Sequence, residues 1–480
     1  MSLRREVFSP SQILGKTLPK KAVGSQFSMS FAAIGKSGQM KASVLPSFGL
    51  VVWFCCACLR GVVCDALPVP TNQSIYKYRR LWKWCGLGHE VDPLIGLDDR
   101  LCQKIFPPKF DREFTCPTVF DFENSTFSLP ATNVSHIDID ETELKSVLAP
   151  GISAAIGIIR RHDGKSDPPY TIRYVGHNAR APLETWSSSK VFAGSRAGQK
   201  LRSVSEDDAT LQSTEYAPPH TAFSLDDLMT IVTSYDTTHG LSSNEIGKYY
   251  HSIGGYKAAN DFIHDVLGAS SEESFGGGYG EAIPPSLGYN FSTSEEGASG
   301  FVTVTPDGTP SPPISNTMSP ITMADFLRRI IFAREDGDGL FKWGDSKSIL
   351  YGAEKSQLFD DVPIQFGGMS MSSDVYVQLG QKNMSRTNEA SEGLWRIFSK
   401  LGFGFSSIRK RFEVVLNGYG CFPIMDGGSK GKGPARNRGL EFVLSVRAHD
   451  YNASDDGRGV DLKVREAMRN ITSYLEENYG

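Results

Sequence analysis

The sequence lacks several features that would point quickly to a function. None of its 480 residues form an apolar run of the roughly eighteen needed to cross a bilayer comfortably. It lacks a charge excess of either sign, with 50 Lys and Arg against 54 Asp and Glu, so nothing in the balance suggests a nucleic-acid binder. No pair of its eight cysteines has zinc-ligand spacing, and a metal site is not expected. Its nine histidines form no pairing with a serine and a carboxylate that the sequence can defend. There is no internal repeat.

The clearest compositional feature that is present is the apolar stretch SFGLVVWFCCACL (47–59), followed by Arg60 and the small-residue stretch GVVCDA. Its length suits a signal-peptide h-region. A start at Met40 gives an ordinary signal peptide with cleavage near Cys64 to Leu67, and residues 1–39 then read as an upstream extension. The alternative is a type II membrane anchor with a cytoplasmic tail. Seven N-x-[S/T] sequons, at Asn72, Asn124, Asn133, Asn290, Asn383, Asn452 and Asn470, add weight to secretion and glycosylation. Cys55, Cys56, Cys58 and Cys64 lie in or beside the apolar segment. Cys85, Cys102, Cys116 and Cys421 remain for the mature chain, enough for two disulfides in any of three connectivities. No stable membrane span is expected after cleavage.

Residues 67–148 hold three of those four cysteines and three sequons with little periodicity, and read as a Cys-containing N-terminal extension after the 1–66 leader region. From 149 to 480 the texture is that of a folded domain. ISAAIGIIRR (152–161) and YTIRYVGH (170–177), separated by the turn-rich HDGKSDPP, predict a β-hairpin. Helices are expected from SSSKVFAGSRA, from FSLDDLMTIVTSY (223–235) with a Ser224/Asp227 capping box, from GGYKAANDFIHDVLG and from TMADFLRRIIFARED. The Gly- and Pro-rich stretch 276–315 reads as a long loop. RFEVVLNGYGCFPIM and GLEFVLSVRAH return to strands before a last helix, DLKVREAMRNITSYLEENYG. The fold class is therefore α+β, with one antiparallel sheet supplied by both ends of the domain, helices packed on it and an all-α subdomain.

WSSSKVF (186–192) sets three serines against a lysine at a helix start. Ser187 and Lys190 share a helix face at i and i+3, so the amine is placed to take the proton that makes a serine hydroxyl nucleophilic. Ser188 and Ser189 do not have this spacing. Desolvation lowers a lysine's pKa towards that task, and a helix N-terminus favours the developing negative charge. The plain alternative is a solvated serine loop.

Ser-x-x-Lys, then Ser-x-Asn at Ser242 and Asn244 in LSSNEIGKYYHSIGG, then a late Lys/Gly strand in SKGKGPARNRGLEFVLSV (429–446), is an order that resembles class A β-lactamases and penicillin-binding proteins. NTMSPITMADFLRRII (316–331) resembles the segment after that family's Ω-loop. The resemblance covers about 150–480 and implies a serine hydrolase of the β-lactamase/transpeptidase-like fold, acting through an acyl-enzyme and needing no metal or organic cofactor. Ser187 would be the nucleophile, Lys190 its base, and Ser242 the proton relay to the leaving group. Asn244 would hold the substrate amide, Lys430 would orient Ser242 and attract a substrate carboxylate, and Arg438 would be a second carboxylate contact. The oxyanion hole would be the N–H of Ser187 and one near Lys432. The implied partner is a small-molecule or peptide substrate, carboxylate-bearing in the family's usual case.

The sequence departs from that pattern at three places. Lys430-Gly431-Lys432 replaces K-[S/T]-G, with Lys432-Gly433 as another register. Ser234-Tyr235-Asp236 competes with Ser242 for the second motif. Counting back from EAIP (281–284) puts Gly276 where the family carries its deacylating Glu and Gly280 where it carries Asn, with Glu272, Glu273 and Glu281 off the spacing. Slow deacylation is the expectation. The competing class is a non-catalytic secreted glycoprotein that uses the fold as a binding module. In that case Lys430 belongs to a Gly/Lys loop, Arg438 is a solvated turn residue and Asn244 is a helix cap.

Overall fold

A computed structural model of the chain describes residues 116, 126–162, 169–204, 209–216, 224–234, 243–277, 279, 288–292, 299–303, 316–334, 340–353, 396–425, 434–451 and 458–479. All lie in the unit Val69–Gly480.

The strands in chain order are β1 (Ile139–Asp140), β2 (Ile152–Arg161), β3 (Tyr170–His177), β4 (Leu183–Glu184), β5 (Thr214–Tyr216), β6 (Gly288–Ser292), β7 (Ser299–Thr303), β8 (Thr317–Met318), β9 (Arg396–Ser406), β10 (Arg411–Met425) and β11 (Pro434–Asp450). The helices are α1 (Lys190–Val204), α2 (Leu225–Ser234), α3 (Ser243–Gly254), α4 (Tyr256–Asp261), α5 (Pro320–Ile331), α6 (Trp343–Tyr351) and α7 (Arg458–Tyr479). The main sheet has six strands in the order β1-β3-β2-β11-β10-β9, antiparallel except for the short β1–β3 pairing. The expected α+β architecture is therefore present: strands from both ends of the domain share one sheet.

Apolar side chains alternate across these strands, as the twofold period of a strand requires, and both faces are covered. Ile156, Ile158, Leu444 and Val446 pack beneath Val464, Met468 and Ile471 of α7. On the other face Ala155, Val443 and Tyr419 join the core that holds α1, α3 and α5. One buried charge on that side is neutralised by two neighbours on its own helix. Asp325 of α5 accepts from Arg328 and Arg329 at 2.8 and 2.9 Å and from the Tyr174 hydroxyl of β3 at 3.0 Å. Burial alone would raise its carboxyl; the two guanidiniums hold it below the usual range.

Local signals explain several element starts. The Ser224/Asp227 capping box forms, each residue's side chain bonding the other's N–H at 3.3 Å. Ser319 caps α5, with Pro320 in its first turn. Within 276–315, the stretch read as loop, β6 and β7 pair as a hairpin and β5 adds a third strand. Cys116 is joined to Cys421 of β10, which ties the N-terminal extension to the sheet. Cys85 and Cys102 lie outside the described residues.

Candidate active site

Among the described residues β9 is the last strand of the sheet, and its middle lies against the turn that carries the three serines. Two glycines make the approach possible. A Cβ on Gly402 would meet Thr185 O at 2.5 Å and Ser188 N at 2.8 Å, and one on Gly404 would occupy the Trp186 ring. Residues Trp186–Ser189 form a 3-10 turn, and the α-helix proper begins only at Lys190. Trp186 has φ +50°, a left-handed conformation that is costly for a bulky residue and that the surroundings must impose. They do so from three directions: its Nε1 donates to Glu413 of β10 at 3.1 Å, its ring rests on Gly404, and its carbonyl accepts from Ser189 Oγ at 2.8 Å.

The three serines are thereby sorted. Ser188 Oγ donates to Thr185 O at 2.6 Å and Ser189 Oγ to Trp186 O; both side chains are fully buried and structural. Ser187 is half-buried, and its hydroxyl has no hydrogen-bond partner among the described residues. The hydroxyl with the helical spacing to lysine is thus the one left open to react.

Lys190 is fully buried, at the start of α1. Its Nζ donates to Ser243 Oγ at 3.0 Å and to Asn244 Oδ1 at 2.6 Å, the first two residues of α3. Gly247, one turn further along α3, leaves room for the lysine stem, since a Cβ there would stand 3.2 Å from it. The expected hydrogen bond between Lys190 and Ser187 is not formed. In a 3-10 turn residues i and i+3 eclipse, so the two side chains still share a face, but the amine is turned to α3.

Among the predicted residues, the structure brings Lys190 and Asn244 together and sets Ser187 on the same turn. Ser242 lies outside the described residues; the hydroxyl that meets Lys190 is that of its neighbour Ser243. Lys430 and Lys432 also lie outside them, in the connection between β10 and β11, as does the side chain of Arg438, whose backbone belongs to β11.

Sequence reasoning missed Lys400 and Tyr279. Lys400, on β9 two residues before Gly402, is fully buried and its Nζ donates to Leu401 O at 3.3 Å. Burial, and then the nearby Lys190 charge, push its amine well below the ordinary lysine range. It stands in Lys400-Leu401-Gly402, where leucine separates the lysine from the glycine and leaves no Lys-[Ser/Thr]-Gly pattern to recognise in the sequence. Tyr279 places its ring 5.3 Å from Lys190 Nζ and its hydroxyl 3.0 Å from Ser189 Oγ. Burial raises its phenol above the ordinary value, so the hydroxyl stays protonated and can donate.

The carboxylates considered for deacylation are placed as follows. Glu273 is buried and committed to α5, accepting from Ser319 N at 2.9 Å and Thr322 Oγ1 at 3.1 Å. Glu272 is exposed, and Glu281 lies outside the described residues. Gly276 and Gly277 donate their N–H groups to Asn316 Oδ1 at 3.0 and 2.8 Å, which fixes the backbone of this loop. Among the described residues no cluster of His, Cys, Asp and Glu could hold a metal ion.

Similar solved structures are β-lactamases. A class A β-lactamase from Mycobacterium abscessus is 16% identical over 69% of this chain and 97% of its own, with a TM-score of 0.33. A β-lactamase from Chitinophaga pinensis is 13% identical over 70% and 98%, with a TM-score of 0.37. One from Sphaerobacter thermophilus is 16% identical over 67% and 91%, with a TM-score of 0.30. The likeness is to the β-lactamase/transpeptidase-like fold. At these identities and scores it says nothing about this chain's activity. No family model and no curated protein matches the sequence.

Proposed function

We propose that the chain is a secreted serine hydrolase that forms an acyl-enzyme on Ser187 from an amide or ester. The observation that carries this reading is the pairing of an open, half-buried Ser187 on a strained turn with a fully buried Lys190 amine held by Ser243 and Asn244. Ser187 Oγ attacks the carbonyl carbon and its proton passes to the Lys190 amine. The oxyanion is met by the N–H of Ser187 and by an N–H on the open edge of β9. Collapse expels the amine or alcohol, which takes up a proton relayed through a hydroxyl at the start of α3, Ser243 or Ser242. Water then releases the acyl group and restores Ser187.

With Glu273 spent on α5, deacylation in this reading is slow, and the site favours a peptidase, esterase or transacylase use over rapid β-lactam destruction. The signal-like segment and the sequons support passage through the secretory pathway. The other reading, a non-catalytic binding module, draws on the absent Ser187–Lys190 hydrogen bond and on Leu401, which removes the hydroxyl expected to bind a carboxylate.

The deciding experiment is intact-mass spectrometry after exposure to a fluorescent penicillin and to a fluorophosphonate, with Ser187→Ala as control. An adduct absent from the variant supports the hydrolase. Failure of both probes supports the binding module.

A further inference from the structure

Tyr279 comes from the stretch that follows α4, and its ring covers the Lys190 Nζ at 5.3 Å from the centroid. The backbone around it is pinned. Tyr279 N donates to Gly277 O at 3.0 Å, and Gly277, at φ +61°, passes so close to His251 that a Cβ there would stand 2.0 Å from the imidazole. The far end of the ring is held as well. Ser189 Oγ already gives its proton to Trp186 O at 2.8 Å, so in the 3.0 Å contact between the two hydroxyls Tyr279 is the donor. This short chain of hydrogen bonds ends on the carbonyl of the residue before Ser187.

Ring and lysine converge over Gly247 of α3. A Cβ there would stand 3.1 Å from Tyr279 Cδ2 and 3.2 Å from Lys190 Cε, so the glycine leaves room for both. The other elements packed on the amine bring different groups to it. Ser243 and Asn244 of α3 offer neutral oxygens at 3.0 and 2.6 Å, with the half-buried Glu245 next on that helix. Lys400 of β9 lies near enough for the two positive charges to oppose each other. Glu184 of β4, whose charge acts on the Tyr279 phenol, accepts from Asn316 N at 3.1 Å.

We propose that Tyr279 is a positioning residue: the face of its ring holds the Lys190 amine and favours its charged form, the form made when Ser187 gives up its proton. Burial and the Lys400 charge both work against that ammonium. An aromatic face offsets them without carrying a charge itself, where a carboxylate would keep the proton on the lysine. Use of that charge in catalysis rests on the reading of Lys190 as the base for Ser187; the contact itself does not.

The test keeps the shape of the ring and changes only the electrons on its face. Tyr279→Phe in the full chain is compared with the same phenylalanine carrying one, two and three ring fluorines. Tyr279→Phe gives up one hydrogen bond and no packing, and thermal melting of each protein checks that the fold is kept. Lysine carrying carbon-13 at Cε is followed by NMR across pH, with the Lys190 signal identified by its loss in Lys190→Met. Each fluorine draws density off the face, so the Lys190 titration should move stepwise to lower pH, by about 0.5 to 1.5 units over the series, a roughly three- to thirtyfold loss of proton affinity. The pH at which fluorophosphonate labelling of Ser187 begins should fall with it, while the plateau rate declines as the amine becomes a weaker base. A titration that stays in place across the series, or moves to higher pH, overturns the inference whether or not Ser187 reacts. A stepwise titration with no labelling of wild type upholds the contact and overturns the hydrolase reading. Labelling of wild type with a flat titration does the reverse.

Discussion

The Lys190 amine lies 2.6 Å from Asn244 Oδ1, closer than its 3.0 Å to Ser243 Oγ, and Lys190 and Asn244 come from the starts of adjacent helices, α1 and α3. A fully buried ammonium needs such partners, and a lysine that must accept a proton needs them to be neutral. Amide and hydroxyl acceptors meet both requirements, where a carboxylate would lock the proton on.

Lys190→Met should therefore keep the fold, since the stem is buried and of similar length, and should reduce probe labelling of Ser187 by roughly 10²- to 10⁴-fold, the usual range for removing a general base. Asn244→Asp should also slow labelling near neutral pH and move its onset to higher pH, because a carboxylate at that position favours the charged amine. Labelling rates measured across pH for both variants check this; an unchanged Asn244→Asp profile would sink the role given to Asn244.

Gly402→Ala should be far more damaging than a surface glycine change. The added methyl meets the backbone at Thr185 O and Ser188 N, groups that cannot rotate away. A cost of about 1–3 kcal/mol is expected, with loss of Ser187 labelling even where the protein remains folded. Thermal melting and probe labelling on the same sample separate the two effects.

The Cys116–Cys421 disulfide spans 305 residues of sequence. Cys116→Ala with Cys421→Ala should lower stability by roughly 2–5 kcal/mol, the usual range for removing a native disulfide from a small domain. Peptide mapping of unreduced protein should recover the 116–421 cross-linked peptides, and its absence would count against the placement of the N-terminal extension.

Strands β2, β3 and β10 were legible because their apolar, β-branched runs are continuous and bounded by turn residues. β9 was not. FSKLGFGFS interrupts its apolar positions with Ser399 and Lys400 and carries two glycines, residues that weaken a strand unless something must pack closely on it. Here that something is the Ser187 turn, so the feature that hid the strand is what builds the site. Lys400 was obscured in turn by the more lysine-rich SKGKG further on, and by Leu401 in place of a hydroxyl residue. Ser187, Lys190 and Asn244 could be proposed from sequence because the first two are neighbours in one turn and the third follows in a recognisable order. Tyr279 reaches Ser189 across 90 residues of sequence, a contact that only the folded chain shows.

Two buried groups outside the site give the domain a pH signature whose directions oppose each other. His251 of α3, packed among Phe275 and Tyr256, is held neutral by burial with its pKa lowered to about 4. Its unfolded value is near 6.5, so the unfolded chain binds the extra proton between those values, and stability falls as pH drops from about 6.5 to 4. Asp226 at the start of α2 is raised to about 7 by burial, against an unfolded value near 3.9. There the folded chain binds the extra proton, so stability falls as pH rises from about 4 to 7. His251→Phe should flatten the acid limb between pH 6.5 and 4, while Asp226→Asn should raise the melting temperature at pH 8 and leave it nearly unchanged at pH 4. Melting curves of the two variants against wild type across pH 4–8 give the slopes directly. An Asp226→Asn protein less stable than wild type at pH 8 would mean that the ionised carboxylate, accepting from Ser224 Oγ at 2.5 Å, is worth more to α2 than its burial costs.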